Sequence, residues 1–155
     1  MVEKEYVDWG EAESAAVQIA EAAEMIDDPD HIVGVARGGL PLAVMVSHEL
    51  DLPMTSLRAT HYDGKEREDE VEIHTDGLDQ IEVGETVLLV DDVVDSGRTL
   101  QRITELWDRY EVDHRTAVWH EKPDSEFKPN VSISQTDSWI VYPWEEPRTM
   151  RNAER

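Results

Sequence analysis

The stretch Val87-Leu88-Leu89-Val90-Asp91-Asp92-Val93-Val94-Asp95-Ser96-Gly97-Arg98-Thr99-Leu100 concentrates the residue types most able to do chemistry. Four apolar residues read as a buried strand that delivers two adjacent carboxylates at its tip. The Asp-Ser-Gly-Arg-Thr run that follows reads as a turn opening onto a helix. Backbone N–H groups in such a turn, the hydroxyls of Ser96 and Thr99 and the positive end of a helix dipole together make a cradle for an anion. Carboxylates beside such a cradle would repel a phosphate unless they had another task. They could accept hydrogen bonds from sugar hydroxyls, or hold Mg²⁺ that bridges to phosphate oxygens. A phosphorylated ribose meets both halves of the motif at once. The plain alternative is a strand–turn–helix with solvated acids and a serine N-cap.

A second stretch, Val33-Gly34-Val35-Ala36-Arg37-Gly38-Gly39-Leu40-Pro41, also places a turn after an apolar strand. By itself it is explained almost as well by a tight turn before a helix. Beside the first motif it gains meaning, because Arg37 offers a planar fork of donors suited to phosphate oxygens. Two other phosphate chemistries are excluded. The Gly-x-x-x-x-Gly-Lys-Ser/Thr of a P-loop is absent, and a phosphoacceptor domain would carry its acid pair after the first strand, not in the second half of the chain.

Composition bounds what can surround such a site. The 155 residues suit one domain, 1–155, with a single core. With 14 Lys+Arg against 36 Asp+Glu the net charge is −22. That excess argues against nucleic acid and anionic membrane as partners, since both require a cationic surface. Hydrophobic residues at 39% and five tryptophans separate the chain from disordered acidic segments. Only Lys4, Lys65, Lys122 and Lys128 are lysines, and the acids run along the whole chain. This pattern is read as adaptation to a salty cytoplasm in preference to an acidic face for a basic partner. No cysteine is present, no apolar run reaches membrane-spanning length, and the start MVEKEYVDWGEAES lacks a signal pattern. A soluble cytoplasmic location is expected.

The elements that must position the two motifs follow from periodicity. Ala12, Ala15, Ala16, Ile19, Ala20, Ala23 and Ile26 predict a helix over Glu11–Asp27, with Asp8 and Glu11 at capping-box spacing. A strand over His31–Ala36 and a helix over Leu40–Leu50, with Pro41 in its first turn, come next. Met54–Ala59 and Val71–Thr75 read as strands around an exposed charged loop at His61–Asp69. Thr86–Val90 is the clearest buried strand. Thr99, Leu100, Ile103, Leu106, Trp107 and Tyr110 mark one face of a helix. Arg115–Trp119 and Trp139–Tyr142 are two further strands. Strands alternating with helices predict an α/β fold with a mostly parallel sheet covered on both faces, in which ligands sit at the carboxyl ends of the strands. Both motifs lie at such ends.

The span Val87–Thr99 resembles the phosphoribosyl-pyrophosphate (PRPP) signature of the type I phosphoribosyltransferases: four apolar residues, two acids, two apolar residues, then Asp-Thr/Ser-Gly-x-Thr. The resemblance implies that family's fold, a twisted, mostly parallel sheet flanked by helices with a small C-terminal hood, here formed mainly by about residues 123–155. It implies PRPP contacts from Arg37, Gly38, Asp91, Asp92, Val93, Val94, Asp95, Ser96, Gly97, Arg98 and Thr99, with Mg²⁺ held at Asp92. It implies a strained, commonly cis, peptide between Ala36 and Arg37. Arg98 stands where a smaller residue is commoner. The family's mobile loop falls on Thr60–Arg67, which diverges from the usual Ser-Ser/Thr-Tyr start and offers Lys65 or Arg67 toward pyrophosphate. At the ionic strength of a salty cytoplasm the Debye length is only ~3 Å, so local positive groups decide how a polyanion binds a protein of this charge. An obligatory divalent cation is therefore expected.

Three features resemble the members acting on 6-oxopurines, the bacterial xanthine–guanine enzymes in particular. Asp95, the third acid, would handle the proton at N7 of the base as catalytic residue. His120-Glu121-Lys122-Pro123 resembles a segment whose lysine donates to the exocyclic O6. Asp137-Ser138-Trp139-Ile140-Val141-Tyr142-Pro143-Trp144 resembles the hood, in which Trp139 would stack on the purine and the Ile140 carbonyl accept from a 2-amino group. Tyr6-Val7-Asp8-Trp9 resembles the opening of the same enzymes. The expectation is a Mg²⁺-dependent enzyme joining guanine, xanthine or hypoxanthine to PRPP, self-associated as a dimer or tetramer. The alternatives are a regulatory protein that binds PRPP or a nucleotide, and an adenine or pyrimidine transferase.

Overall fold

The computed structural model describes residues 2–61, 71–75 and 78–145. In chain order the elements are β1 (Lys4–Tyr6), α1 (Trp9–Ile26), β2 (His31–Ala36), α2 (Leu40–Leu50), β3 (Met54–His61), β4 (Val71–His74), a 3₁₀ turn (Leu78–Gln80), β5 (Thr86–Val94), α3 (Arg98–Arg109), β6 (Asp113–Glu121), β7 (Val131–Gln135) and β8 (Trp139–Val141). Six strands form the main sheet in the order β4-β3-β2-β5-β6-β7. All its pairings are parallel except β3 with β4. This is the doubly covered α/β sheet expected from the alternation of elements.

Side-chain period decides which face each core residue serves. Leu88 and Val90 of β5 and Ile32 of β2 pack with α1 and α2 through Ala12, Ala16, Ile19, Leu42 and Val46. Val87, Leu89, Val33 and Val35 turn to the other face and meet Leu100, Ile103 and Trp107 of α3. The alanine stripe of α1 is buried throughout, which lets the helix lie close to its neighbours. Asp8 caps α1 by accepting from the Glu11 N–H at 2.7 Å, so the helix begins at Trp9, two residues before the expected start at Glu11.

The strands β5 and β6 run further than their apolar cores alone predict. β5 continues through Asp91, Asp92 and Val93 to Val94, and β6 extends from Asp113 to Glu121. They support each other, pairing from Thr86 with Asp113 to Val94 with Glu121. The acid pair is thus held in the sheet and not in the turn. β1 and β7 were not expected. β7 extends the main sheet beside β6, whereas β1 pairs with β8 in a separate two-stranded sheet. The hood strand Trp139–Val141 is therefore completed by the start of the chain, with the Trp139 N–H donating to the Glu3 carbonyl at 2.7 Å. Of the expected charged loop, His61 closes β3; Lys65 and Arg67 lie outside the described residues.

Candidate active site

β5 occupies the centre of the sheet beside β2, with Val90 opposite Gly34. Parallel pairing brings the tips of the two strands to the same edge, so the two motifs, more than fifty residues apart in sequence, touch. A Cβ on Gly38 would lie 2.5 Å from Asp92 Oδ2, and one on Gly39 would lie 2.8 Å from the Val90 carbonyl and 2.9 Å from Asp91 Oδ1. Any side chain in place of these glycines would push the acids away. The Gly-Gly pair is there for close approach of backbone to carboxylate. The Ala36–Arg37 peptide just before them is cis, as the resemblance implies, and Arg37 is exposed at the loop.

Burial dominates the electrostatics of the acid pair. Asp92 is only 6% exposed. Its Oδ1 accepts from the Val93 N–H at 2.8 Å, and Asp91 Oδ1 accepts from the Asp92 N–H at 2.9 Å. Loss of solvent raises the pKa of both carboxyls, and the neighbouring Asp92 charge raises Asp91 further, to well above the usual carboxylate range. Among the described residues no positive group figures in either shift, and a bound cation would supply that compensation. No cluster of three or more metal-ligating side chains occurs among the described residues. The set therefore fits Mg²⁺, which binds through one or two carboxylates with the remaining oxygens from substrate and water, and not a metal needing a full protein cage.

The turn after β5 opens the second half of the site. α3 has Gly97 as its N-cap, at φ +91°, with no side-chain capping bond, so the serine cap of the plain reading does not form. Ser96 Oγ instead lies 3.4 Å from the Arg98 N–H. Asp91, Val93, Val94, Asp95, Ser96, Gly97, Arg98, Thr99 and Leu100 line a cavity of about 220 Å³. Asp95 and Ser96 are exposed there. A larger cavity of about 560 Å³ lies between the end of α3 and residues 78–85, with none of the motif residues in its wall. Size and chemistry disagree, and chemistry selects the smaller one, where carboxylates, hydroxyls and a helix N-terminus converge.

Residues 122–127, following β6, underpin this turn. The Lys122 N–H donates to the Val94 carbonyl at 3.0 Å and the Glu126 N–H to the Ser96 carbonyl at 3.3 Å. A Cβ on Gly97 would run into the Phe127 Cβ and lie 2.8 Å from the Phe127 nitrogen. Phe127 and Ser125 carry no motif, and sequence reasoning missed them. Gly97→Ala combines a positive φ with this clash. It should cost about 2 kcal/mol, a fall of ~4–8 °C in Tm, checked by thermal melting of the two proteins side by side.

The same segment links the turn to the hood. The Lys122 ammonium donates to the Ser138 carbonyl, next to Trp139. The Trp139 ring is 59% exposed, whereas Ile140 is buried. An indole this exposed on a strand fixed by backbone bonds is not core packing. All three expected purine contacts, Lys122, Trp139 and Ile140, thus lie on connected elements. His120 and Tyr142 join them from β6 and from the residue after β8, and neither was singled out from the sequence.

Residues 4–149 match the family described as the phosphoribosyl transferase domain. The chain belongs to that family. Curated phosphoribosyltransferase relatives include the xanthine-guanine phosphoribosyltransferase of Cereibacter sphaeroides, 32% identical over 117 residues, covering 74% of this chain and 68% of that protein. The enzyme of the same description from Idiomarina loihiensis is 30% identical over 142 residues, covering 90% of this chain and 86% of its own. Among solved structures, a purine phosphoribosyltransferase from Pyrococcus horikoshii is 32% identical with a TM-score of 0.79, covering 94% and 95% of the two chains. The xanthine-guanine-hypoxanthine phosphoribosyltransferase of Helicobacter pylori, 20% identical with a TM-score of 0.81, shares the fold.

Proposed function

We propose that this phosphoribosyltransferase joins a 6-oxopurine (guanine, xanthine or hypoxanthine) to PRPP, giving the nucleoside 5′-monophosphate and pyrophosphate. The observation that carries the reading is the contact between the Asp91–Asp92 pair and the Arg37–Gly39 loop at one sheet edge, beside the helix N-terminus that begins at Gly97. The purine relatives described above support the choice of base.

In this reading Asp91 and Asp92 accept the ribose hydroxyls, Ser96–Thr99 receive the 5′-phosphate, and Arg37 with the Gly38 backbone takes the pyrophosphate. Asp92, whose carboxylate abuts the Gly38 backbone, would hold Mg²⁺; when bound, the ion neutralises charge on the departing pyrophosphate. The base nitrogen bonds to ribose C1 while the C1–oxygen bond to pyrophosphate breaks, the electron pair leaving with the pyrophosphate. The Asp95 carboxylate takes the N7 proton. Lys122 and the Ile140 carbonyl read the edge of the base, and Trp139 carries its face. No covalent nucleophile is needed, since positioning and preorganised charge supply the rate. The chain works as a single domain, as a self-associated enzyme of a salty cytoplasm, and its dense carboxylate surface suits that medium.

The test is an assay of each base with PRPP in molar KCl, with and without EDTA. Nucleotide from the three 6-oxopurines, abolished by EDTA and restored by excess Mg²⁺, is the expected result. Product from adenine or orotate alone would reject the specificity. Tight PRPP binding without turnover on any base would indicate a regulator. Trp139→Ala should raise KM for the base about tenfold or more, because stacking a base on an aromatic ring is worth ~1–3 kcal/mol. Its Tm should hardly move, because the ring is already largely exposed.

A further inference from the structure

Tyr142 is 1% exposed, immediately beyond the hood strand. Its ring stacks on Trp144 at 5.0 Å and 8°, and tilts against Trp119 and His120 at 5.6 Å each. This packing aims the hydroxyl. It donates to the backbone carbonyl of Asp92 at 3.2 Å, across fifty residues of sequence. His120, 2% exposed on β6 where it pairs with Val93, places Nδ1 2.9 Å from the same hydroxyl. With the hydroxyl hydrogen on the Asp92 oxygen, Nδ1 is the protonated ring nitrogen and donates to Tyr142. Burial, with the Lys122 charge adding to it, lowers His120 to about 4, so the ring is neutral at pH 7. Burial and the nearby acids also raise Tyr142, which keeps the hydroxyl a donor.

We propose that Tyr142 and His120 are positioning residues that tie the hood to the acid pair, so that the strand carrying the base platform sets the orientation of the carboxylates that grip PRPP. The Asp91–Asp92 backbone sits at a strand end with the two carboxyl groups hydrogen-bonded to each other, so a small rotation of the Asp92 peptide changes how both side chains present themselves. The hydroxyl fixes that rotation, the imidazole fixes the hydroxyl, and the hood fixes the ring. The tie acts on the Asp92 peptide and so on the PRPP subsite, while Trp139 and Ile140 are held separately by the pairing of β8 with β1.

This rests on the assignment of Asp91 and Asp92 to PRPP, and the test separates the two. In the full-length protein with Mg²⁺, Tyr142→Phe keeps the ring and deletes the hydroxyl. It should raise KM for PRPP about five- to tenfold, the usual worth of one hydrogen bond, while KM for guanine changes less than about twofold. His120→Leu should give a smaller rise in the same constant, and His120→Asn, which keeps a donor near the Nδ1 position, should restore it. An unchanged KM for PRPP in Tyr142→Phe overturns the inference. So does a parallel rise of both KM values tracking a lower Tm, which is what a merely structural tyrosine would give. If Tyr142→Phe fails to fold, the His120 pair decides by the same criteria. Asp91→Asn is the control: if it leaves KM for PRPP unchanged, the site assignment itself fails, whatever the tyrosine does.

Discussion

Asp95→Asn should lower kcat about 10²–10⁴-fold, the range a positioned proton acceptor contributes, while KM for PRPP stays within about twofold. The substitution is nearly isosteric and leaves the backbone of the Asp95–Gly97 turn in place. Asp95 is exposed at that turn, so its loss strips no buried partner of its hydrogen bond. In the proposed reading the phosphate is received by backbone groups and by Ser96 and Thr99, which the change does not touch. Steady-state kinetics with both substrates varied will separate the outcomes. Equal losses in kcat and in PRPP affinity would mean that Asp95 holds the ribose phosphate and not the base proton.

Asp91→Asn should produce opposite changes in activity and in stability. A hydrogen bond to a charged group is worth about 1.5–3 kcal/mol, and in the proposed reading two sugar hydroxyls depend on this carboxylate pair. kcat/KM for PRPP should therefore fall about 100-fold or more. The ligand-free protein should nonetheless melt higher. Both carboxyls have folded pKa values above their unfolded ones. The unfolded chain thus gives up these protons at lower pH, and stability declines as pH rises from the ordinary carboxylate range through the raised values. Removing Asp91 removes its own, larger share of that decline and leaves the share of Asp92, which its own burial sets. The asparagine keeps the Oδ1 that accepts from the Asp92 N–H. A gain of about 1 kcal/mol corresponds to ~2–4 °C in Tm for a chain of this length. Melting curves from pH 4 to 8 in EDTA should show the wild type falling relative to the variant. If the two run parallel, or the variant melts lower throughout, the acids are compensated within the protein and need no cation. Excess Mg²⁺ with pyrophosphate should narrow the gap by stabilising the wild type selectively.

Sequence predicted the elements around the site well where local signals are self-contained. The strand–turn–helix at Val87–Leu100 announces itself because a buried apolar run, adjacent acids and a Gly-containing turn are each local signals. His31–Ala36 and Leu40–Leu50 form with the bounds that periodicity predicts. β1 was illegible for a physical reason: Lys4-Glu5-Tyr6 is exposed at every position and carries no apolar alternation. β7 does alternate, as Val131-Ser132-Ile133-Ser134-Gln135, but its two apolar residues make a signal too short to stand out from the polar segment around it. β1 exists only because β8 lies beside it. The same holds for the extension of β5 through Asp91 and Asp92: no propensity favours two aspartates in a central strand, and pairing with β6 overrides it.

Sequence alone therefore determined the α/β class and the two strand–turn motifs with the acids, hydroxyls and arginine they contain, since these follow from residue type and spacing within short windows. Tertiary structure alone decided that Gly38 and Gly39 lie against the acid pair, that Phe127 floors the Gly97 turn, and that Tyr142 reaches the Asp92 carbonyl. Those contacts join residues from about thirty to fifty positions apart. They depend on strand order and parallel register, which are set by the collective burial of both sheet faces and leave no mark on any single stretch of chain.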